Sequence, residues 1–156
     1  MSIDIKLTID DKALQAALKD PQLIAGPVRD FLSQSAYAVE FSAKELAPVD
    51  TGHMRDEIVT RLGPVRAIVI SPVVYSPYVE FGTRPHFPPP GALQPWARRH
   101  GISAFALARA IARRGTKAHP FMRPALEKNK PNIRLFLADA VKAIEKRWRE
   151  HGRKVE

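Results

Sequence analysis

The chain has 156 residues, 45% of them apolar, no cysteine, and a formal net charge of +9 at pH 7. A chain of this length buries roughly 70% of the surface its unfolded form exposes, and its apolar content excludes a disordered chain. The lack of cysteine excludes a disulfide framework, a thiolate zinc site and a cysteine nucleophile, and fits synthesis in a reducing cytoplasm.

Ile3, Ile5, Leu7 and Ile9 alternate with Asp4, Lys6 and Thr8, the period of a half-buried strand. This acidic, alternating start reads as neither a signal peptide nor a membrane span, and no apolar run approaches the ~18 residues a span requires. Asp10 or Asp11 can cap a short helix to about Lys19, with Leu14, Ala17 and Leu18 on one face. Pro21 and the Gly26-Pro27 pair punctuate, and a longer helix follows to about Leu46. Val28, Phe31, Leu32, Ser35, Val39, Ser42 and Leu46 form its inner stripe.

After Pro48 comes "VDTGHMR". An Asp two residues before a Gly makes a tight turn: the Asp50 carboxylate can accept the N–H of Gly52 or His53, with Gly52 at positive φ. Met54 then points inward, and Arg55 is free to pair with an acid. "EIVTRL" and "VRAIVIS", split by Gly63-Pro64, predict a hairpin. "PVVYSPYVEFGTRPHFPPPG" holds too much proline for a regular element, beyond one helical turn at Tyr78–Phe81. Ala92–His100 and Ser103–Arg114 predict two short helices broken at Gly101. In the last helix Ile133, Leu137, Ala140, Val141, Ile144 and Trp148 recur at helical steps, with Pro131 near the first turn. Disorder is expected at the last few residues and in 84–92.

The positive charge is concentrated. No Asp or Glu occurs between Phe81 and Leu126, while Arg84, Arg98, Arg99, Arg109, Arg113, Arg114, Lys117 and Arg123 all do. Such a field favours a polyanion or an acidic partner surface; a solvated face kept for solubility has the same composition. Arg109 and Arg113 fall one turn apart on a helix whose other side is Ala104, Phe105, Leu107, Ala108 and Ile111, so the arginines can face phosphates. Arg98, Arg99 and Trp96 form a second cluster. Aromatics are too sparse for a stacking platform, and no helix-turn-helix or zinc-finger spacing occurs.

Signals for catalysis are weak. His53, His86, His100, His119 and His151 include no i, i+4 pair, and the acids form no cluster of the kind a two-metal nuclease needs. A strand through Asp56-Glu57 would send those two side chains to opposite faces. Glu80, set between aromatics in "YVEFGT", needs a partner if buried, and Arg55 is the expected one. No catalytic, metal-binding or cofactor-binding residue is assigned, and a non-enzymatic protein is expected.

"APVDTGHMR", a hairpin, "YSPYVEFGT" and "HPFMRPAL" ahead of an amphipathic C-terminal helix together resemble the tailed-bacteriophage tail-completion, or head–tail joining (neck), family of tenth-gene-product-like minor tail components. The matching positions are Ala47–Arg55, Tyr75–Thr83 and Pro120–Leu126, within a core of about residues 28–145. Met54 and Met122 stand where leucine is usual, volume-conserving exchanges; Glu57 replaces a small hydroxyl residue, and 84–118 is longer than in compact members.

The resemblance implies an α+β fold, a small antiparallel or mixed β-sheet packed against a long helix and a C-terminal amphipathic helix. One virion-assembly domain, 1–156, would carry a basic helical insertion at about 84–118. In it Asp50, Thr51, Gly52, Arg55, Tyr78, Glu80, Phe81, Gly82, Thr83, Pro120, Phe121, Arg123 and Pro124 are structural corners. The implied role is virion morphogenesis in phage or prophage, without catalysis or cofactor. The implied partners are connector or adaptor proteins, tail-tube or tail-terminator proteins, and other copies in a ring, a hexamer once docked at the neck. Arg98, Arg99, Arg109, Arg113, Arg114 and Lys117 would face either DNA in the channel or an acidic neighbour, and no membrane is involved. The alternative from a different class is a sequence-independent DNA-binding protein using 84–123.

Overall fold

The computed structural model describes residues 21–152; the strand expected at Ile3–Ile9, the short helix to Lys19 and the last few residues lie outside them. The described elements are α1 (Pro21–Leu46), α2 (His53–Asp56), β1 (Val59–Leu62), β2 (Ala67–Ile70), α3 (Ser76–Phe81), α4 (Pro90–Arg99), α5 (Ala104–Arg114) and α6 (Met122–Gly152). The order is α+β: β1 and β2 form a two-stranded antiparallel hairpin, its turn closed by the Gly63 N–H donating to the Arg66 carbonyl at 2.8 Å. The chain divides into two compact units.

The first unit takes residues 21–38, 60–69 and 129–152 of the described chain. Here α1 starts at Pro21 and runs through Gly26-Pro27, so this pair does not end the preceding element as expected. Pro27 is fully buried, and a Cβ on Gly26 would meet the Arg147 guanidinium at 2.7 Å. Glycine is thus tolerated inside the helix because a neighbour occupies the space of its side chain. On α6, Asn129 and Ala140 are buried, while Leu137 and Val141 remain about half exposed. The inward face is set by 129, 133, 136, 140 and 144, rotated from the expected stripe. Pro131 sits ten residues into α6; a proline there lacks the N–H for one helical bond, yet the helix continues.

The second unit comprises 39–59 and 70–128. The inward face of α1 continues through Val39 and Ala43, with Ser42 beside them, to Ala47 just past its end, and Leu46 is 42% exposed, outside the stripe expected for it. Steps of four from Val39 to Ala43 to Ala47 turn Leu46 away. Met54, Ile58, Ala97, Ala108, Ile111, Phe121 and Ala125 complete the buried apolar set. Helices α4 and α5 pack on each other, separated at Gly101 (φ 65°) as expected. Ser103 caps α5 by accepting the Ala106 N–H at 3.4 Å. Residues 84–92, expected to be disordered, instead lead into α4 with the Phe87 ring edge-on to Phe105, centroids 6.2 Å apart.

Candidate functional site: three motif turns that hold the basic helices

All three motifs lie within the second unit, and Glu80 joins the second to the third. Helix α3 buries Ser76 and Glu80 and leaves Tyr78 and Phe81 in solvent at 59% and 77% exposure. The Glu80 carboxylate reaches the start of α6. Its Oε2 accepts the N–H of Phe121 at 2.7 Å and of Met122 at 2.9 Å, and its Oε1 accepts that of Arg123 at 3.0 Å. The first N–H groups of any helix lack intrahelical partners and carry the positive end of its dipole, so a carboxylate there is a charge-assisted cap. The His119 N–H adds a bond to the Val79 carbonyl at 2.8 Å. Phe121 is fully buried directly behind this cap.

This overturns the expected Arg55–Glu80 pair. The Arg55 Nε donates instead to Asp56 Oδ1 at 3.0 Å, on a half-exposed surface. Pairing with the next residue of the chain keeps the guanidinium in water, whereas the Glu80 oxygens are already committed to backbone donors. The same cap explains why α6 begins at Met122 and not near Pro131.

Two Gly-Thr dipeptides form the second junction. Thr83 and Thr116 exchange both backbone hydrogen bonds, at 3.1 and 3.2 Å, in an isolated antiparallel bridge. Their hydroxyls also bond each other at 3.0 Å. Gly82 (φ 70°, ψ −175°) and Gly115 (φ 71°, ψ −161°) both occupy a region open essentially to glycine alone. A Cβ on Gly82 would lie 2.5 Å from the Thr116 carbonyl oxygen, and one on Gly115 would run into the Thr83 carbonyl.

The first motif is the third junction. Gly52 has the expected positive φ, 85°, and Met54 is buried as expected. The Asp50 carboxylate, however, does not close its own turn: Thr51 Oγ1 takes the His53 N–H, at 3.5 Å. Asp50 instead holds the end of α4, accepting from both Arg99 Nε, at 3.1 Å, and Arg99 Nη2, with His100 Nε2 3.3 Å away. The His100 ring stacks on Trp96 at 4.0 Å. The Arg99 hydrogen bonds hold the Asp50 carboxyl below the usual carboxylate range, against a smaller opposing effect of desolvation and with help from His100. Arg99 is correspondingly shifted up by Asp50.

Of the basic residues singled out, Arg99 is therefore a clamp, while Arg98, Arg109, Arg113, Arg114 and Lys117 are exposed on the surface. Ala108 and Ile111 bury as expected on the other side of α5, but Phe105 does not; it is 57% exposed and meets Phe87. Pro120 and Arg123 are exposed, Pro124 half-buried. Among the described residues no three His, Asp or Glu side chains are grouped to hold a metal, and no helix is long and apolar enough to cross a membrane. Gly115, Thr116 and the His119 N–H were not singled out by sequence; the repeated Gly-Thr dipeptide at 82–83 and 115–116 was the available signal.

The geometry makes these motif residues fasteners: Glu80, Asp50 and Gly82 each tie one segment to a distant one, and Gly52 shapes its own turn. Residues 11–82, just under half of the chain, match the family model described as "Bacteriophage HK97-gp10, putative tail-component". That match takes in the first motif and the second up to Gly82; the third, at 120–126, lies beyond it. Neither the curated proteins nor the solved structures contain a match.

Proposed function

From the relationship of residues 11–82 to the bacteriophage tail-component family, we propose that the chain is a structural, non-catalytic protein of the virion that completes the tail or joins it to the head. It docks there as a ring between the connector and the tail tube or terminator. The observation that carries this reading is the use made of the motif carboxylates. Glu80 accepts three backbone N–H groups and Asp50 holds Arg99 and His100. Both acids are thus engaged in structural contacts, which supports a non-catalytic reading.

A surface for assembly accompanies that scaffold. On α3 the buried Glu80 fixes one side, while Tyr78 and Phe81, with Val74 and Tyr75 just before the helix, are 46–86% exposed. Aromatic side chains presented on a rigid element are the residue types that anchor protein–protein interfaces.

The test is native mass measurement of the full chain alone and with a connector protein from the same virion. Association with the connector, with several copies per complex, is expected. A strict monomer under both conditions overturns the proposal, as does magnesium-dependent DNA cleavage that survives repurification.

A further inference from the structure

The Thr83–Thr116 bridge does more than close a loop. By its register Arg84 stands opposite Gly115 and Lys117 opposite Gly82, and the backbones of these pairs are in direct contact: a Cβ on Gly115 would meet the Arg84 carbonyl carbon at 2.9 Å, and one on Gly82 the Lys117 carbonyl carbon at 3.2 Å. Arg113 and Arg114, in the last turn of α5, immediately precede Gly115. Two stretches far apart in sequence, "TRPH" and "RRGTK", are thus brought together as Arg84, Arg113, Arg114 and Lys117. All four are exposed. None forms an ion pair among the described residues. No acid occurs from 82 to 125 to offset them, and Asp50 is occupied by Arg99.

Like charges placed side by side destabilise a fold unless something compensates them. Two of the cations do gain from the helix C-terminus, where the dipole is negative. Arg84 and Lys117 have no such compensation, and two glycine-only conformations are used to bring them in.

We infer that Arg84, Arg113, Arg114 and Lys117, gathered at the Thr83–Thr116 bridge, form a contact site for the phosphodiester backbone of duplex DNA, independent of base sequence. An acidic protein surface is the competing partner, and the composition of the site decides against it. Protein hot spots centre on an apolar or aromatic anchor in a dry pocket. The residues next to the cations in the chain are Thr83, Pro85, His86, Gly115, Thr116 and Ala118, none of them a large apolar side chain; the exposed Phe81, set opposite Ala118 by the register, belongs to α3, and phosphate contacts need only cations and hydrogen-bond donors. The exposed aromatic pair Phe87–Phe105 belongs to the opposite end of α5. In a ring the site would repeat around the opening and its field would add; the site itself does not depend on the ring.

The experiment is fluorescence anisotropy with the full-length protein and labelled duplexes of two unrelated sequences, titrated from 50 to 200 mM salt. Four phosphate contacts give a log–log slope of about −3.6, so affinity falls on the order of 100-fold across that range, equally for both sequences. Replacing all four residues by Gln (R84Q, R113Q, R114Q, K117Q) is expected to weaken binding at least tenfold at 100 mM and to flatten the slope. Removing the same charge from α6 (R134Q, K142Q, K146Q with R149Q) is expected to change it less than about twofold. The inference is overturned by no duplex binding at 50 mM, by equal losses in the two variants, or by poly-glutamate displacing the duplex at lower charge concentration than unlabelled DNA does. Because this assay uses the protein without its connector, its failure leaves the assembly proposal standing, and the converse holds.

Discussion

Removing the Glu80 carboxylate should leave the start of α6 with three N–H donors and no acceptor. In Glu80→Ala the Phe121 N–H faces a buried site and those of Met122 and Arg123 part-buried ones. An unsatisfied buried donor costs about 1–3 kcal/mol, and losing a cap costs typically about 1 kcal/mol with a similar contribution from the dipole. These terms overlap, because one carboxylate supplies all of them, and the two part-buried donors recover some bonding from water. The expected loss is therefore about 3–5 kcal/mol, the range for removing one member of a buried charged network. For a protein of this size that lowers the melting temperature by on the order of 10 °C. Glu80→Gln keeps the shape and one acceptor oxygen but turns an NH2 towards the donors, so its loss should be smaller, about 1–3 kcal/mol. Urea denaturation of wild type, Glu80→Gln and Glu80→Ala measures the order, and hydrogen exchange at 121–123 locates the damage. A Glu80→Ala variant within about 1 kcal/mol of wild type, or with unchanged protection at those three amides, would refute the capping argument.

Gly115→Ala places a Cβ against the Thr83 carbonyl in a conformation only glycine favours and should cost more than about 2 kcal/mol. Gly91→Ala, inside α4 with nothing within 4 Å, should be neutral or stabilising by up to about 1 kcal/mol; the two denaturation curves together check the distinction. Phe121→Ala empties a fully buried site and should lose about 3–5 kcal/mol in the same assay. Arg55→Ala should shift stability by less than about 1 kcal/mol, because its ion pair with Asp56, the one it makes among the described residues, is exposed; a large loss would restore a buried partner for it. Asp50 has a depressed carboxyl, so its contribution is complete above the unfolded carboxylate range and is lost as pH falls through its lower folded value. Protection of the amides at 96–100, measured as exchange rates divided by the intrinsic rate at each pH, should accordingly fall at acid pH in wild type, and Asp50→Asn should remove that acid step.

What the sequence made legible was local. The break at Gly101, the Ser103 cap and the step from Ala104 to Ala108 and Ile111 are all contained within one or two turns, and α4 and α5 formed where they were expected. The hairpin was equally readable from Gly63-Pro64 between two β-rich runs. Interactions across many residues were not. Glu80 caps a helix some forty residues away, so nothing near Phe121 announces a helix start, and Pro131, whose residue type suits a first turn, lies inside α6. Asp50 had an available turn to close and instead holds Arg99, a choice that only the folded chain presents. Glu80 was correctly marked as needing a partner, yet a carboxylate can be satisfied by amides as well as by a guanidinium, and sequence does not separate the two.

The bridge at Thr83 and Thr116 also bears on how this protein could change over generations. Its two strands pin the ends of everything between them, and Asp50 adds a further tether part-way along. When both feet of a loop are fastened, lengthening it raises the closure entropy only logarithmically, by about 0.6 kcal/mol per doubling. The stretch from Arg84 to Arg114 is in this sense an exchangeable cassette on a fixed socket. Its helices, and the charge they carry, can be rewritten while Gly82, Thr83, Gly115 and Thr116 keep the rest of the unit in place.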